Sequence, residues 1–207
     1  MTLVNLMRRW VIALGLTGLV ALPTPALAKF QFSGCAGKED TIADAYALAF
    51  SRAKAAEDKV SANELYLTWF GAWTEARGKI VSDNLADIIA QTLVGTPAFT
   101  CYPAGDSACD EDGDGTDDYY AFIYAGESFE IHLCEPFWTV EQNLDIDKTD
   151  VLIHEVSHFH IGAQTSDHCY GASGIGSCID LAISQPDLAV QNADSYMYFI
   201  KNAGSGL

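Results

Sequence analysis

The sequence predicts an α+β domain, predominantly helical, with a small antiparallel β-sheet. Three observations carry that expectation. Apolar residues recur at helical spacing over residues 38–60 and 76–93. Short β-branched and aromatic runs are confined to residues 99–134, apart from the helical stretches, as an α+β domain requires. Within the apolar run that starts at Val151 stands His154-Glu155-x-x-His158, a spacing that brings two imidazoles together only on a helix.

Residues 1–28 read as a secretory signal: Arg8 and Arg9, an apolar core from Trp10 to Leu22, and the small-residue cleavage site Ala26-Leu27-Ala28. The core is too short to span a bilayer. Cleavage there starts the mature chain at Lys29, and residues 29–207 suit a single domain. The signal holds two of the 11 basic residues and none of the 28 acidic ones, so its removal takes the net charge from −17 to −19. So acidic a protein repels nucleic acid and anionic membranes. The expected setting is extracellular, or periplasmic in transit, and the expected state a monomer.

The first helix is expected from Lys38 to Val60, with Ile42, Tyr46, Ala49 and Ala53 on one face. Ser61 to Glu64 has capping-box spacing for a second helix, Leu65 to Trp69. A third runs from Ala76 to Leu93, burying Ile80, Leu85, Ile88, Ile89 and Leu93 and stopping at Gly95. Strands follow at Phe99–Tyr102, Tyr119–Tyr124 and Phe129–Cys134, the last two joined by a turn at Ala125–Ser128. Between the first two lies Asp110-Glu111-Asp112-Gly113-Asp114-Gly115-Thr116-Asp117-Asp118. It opens like an EF-hand, but Ala121 stands where the bidentate Glu belongs. Calcium held by Asp110, Asp112, Asp114 and Asp118 in a looser oxygen cage competes there with a solvated acidic loop. Thr149 or Asp150 is placed to cap the helix bearing His154. A final helix is expected from Asp187 to Asn202, after Pro186.

The chemistry resides in residues 154–167. His154 and His158 share a helical face, and Glu155, rotated away from it, can address a water on a bound ion. Two neutral imidazoles, a third ligand and an open position are the donor set of a catalytic zinc. A third His, as in H-E-x-x-H-x-x-G-x-x-H, would fall at 164, which is Gln164; no Glu follows Glu155. Asp167, Asp180, Asp187 and Asp194 remain. Asp167 is the nearest, with Gly162 placed to stop the helix and turn the chain back. His160 and His168 read as ordinary satisfied histidines.

These motifs resemble the aspzincin metallopeptidases, whose H-E-x-x-H is followed by G-T-x-D-x-x-Y-G. Here the loop reads Gln164-Thr165-Ser166-Asp167-His168-Cys169-Tyr170-Gly171, with only the first Gly changed. Tyr66-x-x-Trp69-Phe70-Gly71 and Cys134-x-x-Phe137-Trp138 are similar to further family patterns. The resemblance implies a zincin-like metallopeptidase fold, one Zn2+ on His154, His158 and Asp167, Glu155 as general base and Tyr170 as transition-state stabiliser. It implies disulfides Cys35–Cys101 and Cys109–Cys134, leaving Cys169–Cys178 to brace the Asp167 loop, and marks residues 105–118 as an insertion. In architectures of this kind an edge strand beside the metal helix binds substrate, which points to Phe129–Cys134 or its neighbour. Lysine-specific members carry N-A-D-x-x-E-Y-F, with the Asp and Glu lining the lysine pocket; Asp194 keeps the first and Met197 replaces the second. The alternative for Asp194 is a hydrogen-bonding role in its helix or a hydrogen bond that supports a zinc ligand.

The function expected is a secreted zinc metalloendopeptidase, with Lys after the scissile bond as its preference. A non-catalytic secreted metal-binding module and an amidase acting on cell-wall peptides are the alternatives.

Overall fold

The computed structural model describes residues 30–124, 129–143, 145–159 and 162–204. The signal segment 1–28, the Ala125–Ser128 turn and His160 lie outside them. The chain runs β1 (Gln31–Ser33), α1 (Glu39–Ala56), α2 (Glu64–Phe70), α3 (Glu75–Val94), β2 (Ala98–Cys101), β3 (Ala121–Phe122) and β4 (Glu130–Leu133). Then come α4 (Val140–Asn143), α5 (Lys148–Ser157), α6 (Cys178–Ser184), α7 (Pro186–Ala189) and α8 (Ala193–Ala203). Single 3₁₀ turns follow α1 and precede α4. The predominantly helical α+β expectation holds.

The sheet corrects one part of it. Strand order is β1-β2-β4-β3, with β1/β2 and β2/β4 parallel and only β3/β4 antiparallel, so the sheet is mixed. Parallel neighbours need long crossovers. Helices α1–α3 supply one and the acidic loop with β3 the other, while β1 is too short to signal itself in sequence. Consequently Phe129–Cys134 does not lie at the edge. Its core, β4, sits between β2 and β3, and the edge strand beside α5 is β3.

Helix α5 is the centre of the helical layer, packed against α1, α3 and α8. Its cap is Asp147, not Thr149 or Asp150. The Asp147 carboxylate accepts the Asp150 N–H at 3.0 Å and the Asp150 carboxylate accepts the Asp147 N–H at 3.0 Å. Asp150, 1 % exposed, also receives Arg52 of α1 at 2.6 Å, and Lys201 of α8 lies 3.8 Å away. Burial raises the Asp150 pKa, and these two cations work against that rise. One buried carboxylate thus ties α1 and α8 to the start of the helix that matters.

Other helix limits shift for local reasons. Asn63, not Ser61, caps α2, accepting the Tyr66 N–H at 2.9 Å. Helix α3 buries Val81, Leu85, Ile88 and Ile89, while Ile80 and Leu93 are exposed, because the helical stripe passes through 81, 85 and 88. The expected Asp187–Asn202 helix divides into α7 and α8. Ser166 donates to the Gln191 carbonyl at 2.8 Å and accepts from the Ala193 N–H at 3.1 Å, pulling residues 191–193 out of helical bonding. Tyr66, Trp69 and Phe70 lie in the core, Trp69 stacked on Tyr198 at 4.7 Å.

Candidate metal centre

Helix α5 ends at the site. His154 stands one turn before its end and His158 is the C-cap, with helical angles φ −77° and ψ −16°, so both rings leave the same face. Their Nε2 atoms are 3.1 Å apart. From the loop that follows, Asp167 brings Oδ1 to 3.3 Å from His154 Nε2 and 3.4 Å from His158 Nε2. Donor atoms on a tetrahedron with bonds of about 2.0–2.1 Å lie roughly 3.3 Å apart. The three observed edges match that figure. These three residues could hold one zinc-sized ion.

The outer nitrogens decide which atoms face inward. His154 Nδ1 lies 2.6 Å from the Asp194 carboxylate and His158 Nδ1 2.9 Å from the Thr165 carbonyl. Both partners are acceptors, so each Nδ1 carries the proton and each Nε2 offers its lone pair to the centre. Three lone-pair donors at this separation repel one another unless a cation or protons lie between them. Accordingly, burial disfavours the His154 and His158 imidazolium forms, yet hydrogen bonds to Asp167 outweigh it and raise both pKa values, His154 well above the usual. Burial acts to raise the Asp167 pKa, but the two imidazoles overcome it and hold this carboxyl far below the ordinary range. Burial raises the Glu155 pKa.

The loop is held on two sides. The Thr165 N–H donates to the Ser157 carbonyl at 3.0 Å, and the buried hydroxyls of Ser157 and Thr165 meet at 2.6 Å. The Asn192 side-chain oxygen accepts the His168 and Cys169 N–H groups at 2.7 and 3.1 Å. Cys169 is bridged to Cys178, the first residue of α6. Gln164, where the resembling loops have Gly, takes φ +52°, the left-handed region that costs a side-chain residue about 1–2 kcal/mol. Tyr170 is exposed beside the donors, its ring stacked over His154 at 6.1 Å. Burial of its hydroxyl and the Asp167 charge raise the Tyr170 pKa.

The remaining sequence expectations fall elsewhere. Asp194 is buried, one oxygen on His154 and the other accepting the Gly171 N–H at 2.8 Å. Met197, one turn on, lies in the hydrophobic core. Of the four acidic-loop residues, Asp110, Asp112 and Asp118 bring carboxylate oxygens within 4.8 Å of one another, but Asp114 turns to Thr116. Disulfides Cys35–Cys101 and Cys109–Cys134 fasten β1 to β2 and the acidic loop to the end of β4. Two clefts of about 400 Å³, one between α2 and the end of α8 and one beside the acidic loop, are not lined by the donors. Sequence reasoning missed Asn192, Ser157 and Thr165. Their roles come from contacts between separate segments, which their sequence neighbours do not signal.

Two imidazoles from an H-E-x-x-H helix and a carboxylate from the next loop, above a small sheet, define the class of hydrolytic zinc centres. The sequence profile of the aspzincin family, described as lysine-specific metallo-endopeptidase, matches residues 55–201, and the chain belongs to that family. It is 34% identical over 142 residues to a peptidyl-Lys metalloendopeptidase of Pleurotus ostreatus, covering 69% of this chain and 76% of that protein. With a peptidyl-Lys metalloendopeptidase of Armillaria mellea it is 32% identical over 183 residues, 84% of this chain. An extracellular protease of Aeromonas hydrophila is 29% identical over 140 residues, 68% of this chain. The chain spans 47% of the Armillaria protein and 36% of the Aeromonas one. Its fold superposes on a zinc peptidase from Grifola frondosa with a TM-score of 0.68 and 26% identity, covering 83% of this chain and 99% of that one. None of the helices among the described residues is long and apolar enough to cross a membrane.

Proposed function

We propose that the protein is an exported zinc metalloendopeptidase that hydrolyses peptide bonds with His154, His158 and Asp167 as metal ligands. The observation that carries this is the near-equilateral triangle of donors, 3.1, 3.3 and 3.4 Å on its edges. Zinc, when bound there, supplies a Lewis acid that polarises the carbonyl and lowers the pKa of water toward about 7. Glu155, carboxylate form, takes one proton from the attacking water as its oxygen joins the carbonyl carbon. The same carboxyl then delivers that proton to the amine as the C–N bond breaks. Its burial favours this traffic, because a raised pKa brings a carboxyl closer to the proton affinity of its partners. The Tyr170 hydroxyl, kept protonated beside the donors, donates to the oxyanion.

The finer part of the proposal is a preference for Lys after the scissile bond. It is supported by two relatives named peptidyl-Lys metalloendopeptidases and by an acidic chain suited to basic substrates. Against it, a lysine ammonium would have to share an Asp194 carboxylate already bonded to His154 and Gly171. Mapping the cleavage sites of the purified mature protein in a denatured protein tests both parts. Peptide products with Lys at the new N-termini are expected. Cleavage with apolar residues there would remove the Lys preference alone, and no cleavage by zinc-loaded protein, with or without action on cell-wall peptides, would remove the endopeptidase reading.

A further inference from the structure

Residues 191–194, which lead into α8, hold the metal loop on both flanks of Asp167. On its N-terminal side, Ser166 is paired through both backbone groups, to Gln191 and Ala193. On the other side the Asn192 side-chain oxygen gathers the N–H groups of His168 and Cys169, which fixes the turn directly after Asp167. Two residues along, Asp194 accepts from Gly171 with one oxygen and faces His154 Nδ1 at 2.6 Å with the other. The amide of Asn192 is itself anchored, donating to Ser195 Oγ at 3.3 Å. Asn192 is fully buried and Asp194 is 7% exposed.

We propose that Asn192 and Asp194 are positioning residues that hold His154 and Asp167, which come from separate elements, in a common frame set by α8. This rests on the metal reading above. The physical reason lies in the two bonds of Asp194. A carboxylate on the outer nitrogen orients the imidazole and makes the inner nitrogen more basic, while its second oxygen registers the loop against the same ring. With both oxygens engaged and the side chain buried, Asp194 has little surface to offer a substrate. Asn192 acts on the carboxylate donor instead, by holding the backbone that carries it.

Zinc dissociation constants measured by chelator competition, with the cobalt(II) absorption spectrum and the Tm of the metal-free protein, test this. The proteins needed are the mature wild type, Asp194→Asn, Asn192→Ala and, as a ligand control, Asp167→Asn. Asp194→Asn and Asn192→Ala are expected to bind zinc about 10–100-fold more weakly and to alter the cobalt spectrum, with the metal-free Tm lowered far less than either change implies. Wild-type zinc affinity and spectrum in both variants would overturn the proposal, whatever their Tm. So would an Asp194→Asn effect confined to the cleavage of Lys-containing peptides, which would assign Asp194 to the substrate. Should Asn192→Ala fail to fold, the isosteric Asp194→Asn carries the decision. Absence of stoichiometric zinc in the wild type, by contrast, would fail the metal reading itself.

Discussion

Two loops of this protein, one with a single aspartate and one crowded with them, are each fastened by a disulfide, yet they present carboxylate in opposite ways. In the 164–171 loop, Asp167 turns away from its own backbone toward two imidazoles of α5, and the backbone is held by Ser157, Asn192 and Asp194. In the 110–118 loop the carboxylates fold back. Asp110 accepts the N–H groups of Gly113, Asp114 and Gly115, and Asp118 accepts that of Glu111. Mutual repulsion among those aspartates is thereby offset by backbone donors. The difference teaches where a carboxylate finds its partners: Asp167 takes them from another element because its backbone is held from outside, whereas Asp110 and Asp118 take theirs from their own loop.

The sharpest way to break the comparison is to neutralise one carboxyl beside the donors that Asp167 faces and one in the acidic loop. Glu155→Gln is expected to keep zinc and lose turnover by about a hundredfold to ten-thousandfold. Asp118→Asn in the acidic loop is expected to leave kcat/KM within about twofold, the scale of a surface change of roughly 0.5 kcal/mol. Steady-state kinetics with metal analysis checks both; full activity in Glu155→Gln would refute its role as base.

The disulfides separate the regions differently. Replacing Cys169 and Cys178 by Ser, or Cys109 and Cys134 by Ser, is expected to cost about 3 kcal/mol in denaturant unfolding, more for the pair that closes the longer loop. Only the first replacement should also weaken zinc binding in chelator competition. Equal zinc affinity in the two would dissolve the contrast.

Next comes pH. His154 and His158 have folded pKa values above the unfolded value of about 6.5, so their contribution is fully present below that pH and is lost as pH rises through the folded values. The raised pKa of Glu155 has the same sign, and the lowered one of Asp167 matters only in acid. The Tm of the metal-free protein should therefore fall as pH rises past about 6.5, and zinc, taking the place of these protons, should flatten the fall. A metal-free Tm that climbs with pH would contradict this. The smallest effect belongs to Gln164→Gly, which removes left-handed strain but adds unfolded-chain freedom. A gain of about 0.5–1 kcal/mol in chemical denaturation is expected.

Much of the centre was legible because its spacing is local. One helical turn separates His154 from His158, and the third donor is the first carboxylate past the helix. The helical layer was legible too, through the stripes of α1 and α3. What hid was long-range. Asn192 falls inside the helix expected from Asp187 to Asn202, and only the pairing of Ser166 with residues 191–193 brings its side chain onto the loop. The sheet was mistaken for antiparallel because β1 spans three residues and its parallel pairing with β2 depends on an intervening helical crossover. Asp194 offered the pattern of a pocket residue, while its burial against His154 is a property of how α8 packs on α5.

The central claim is that one ion sits among two imidazoles and the Asp167 carboxylate. X-ray absorption on the zinc-loaded mature protein, beside the same protein carrying Asp167→Asn, measures it most directly. One zinc per chain with two imidazole shells at about 2.0–2.1 Å is expected, with most of the zinc lost on removing the carboxylate. Retention of full occupancy and an unchanged shell in Asp167→Asn would contradict it.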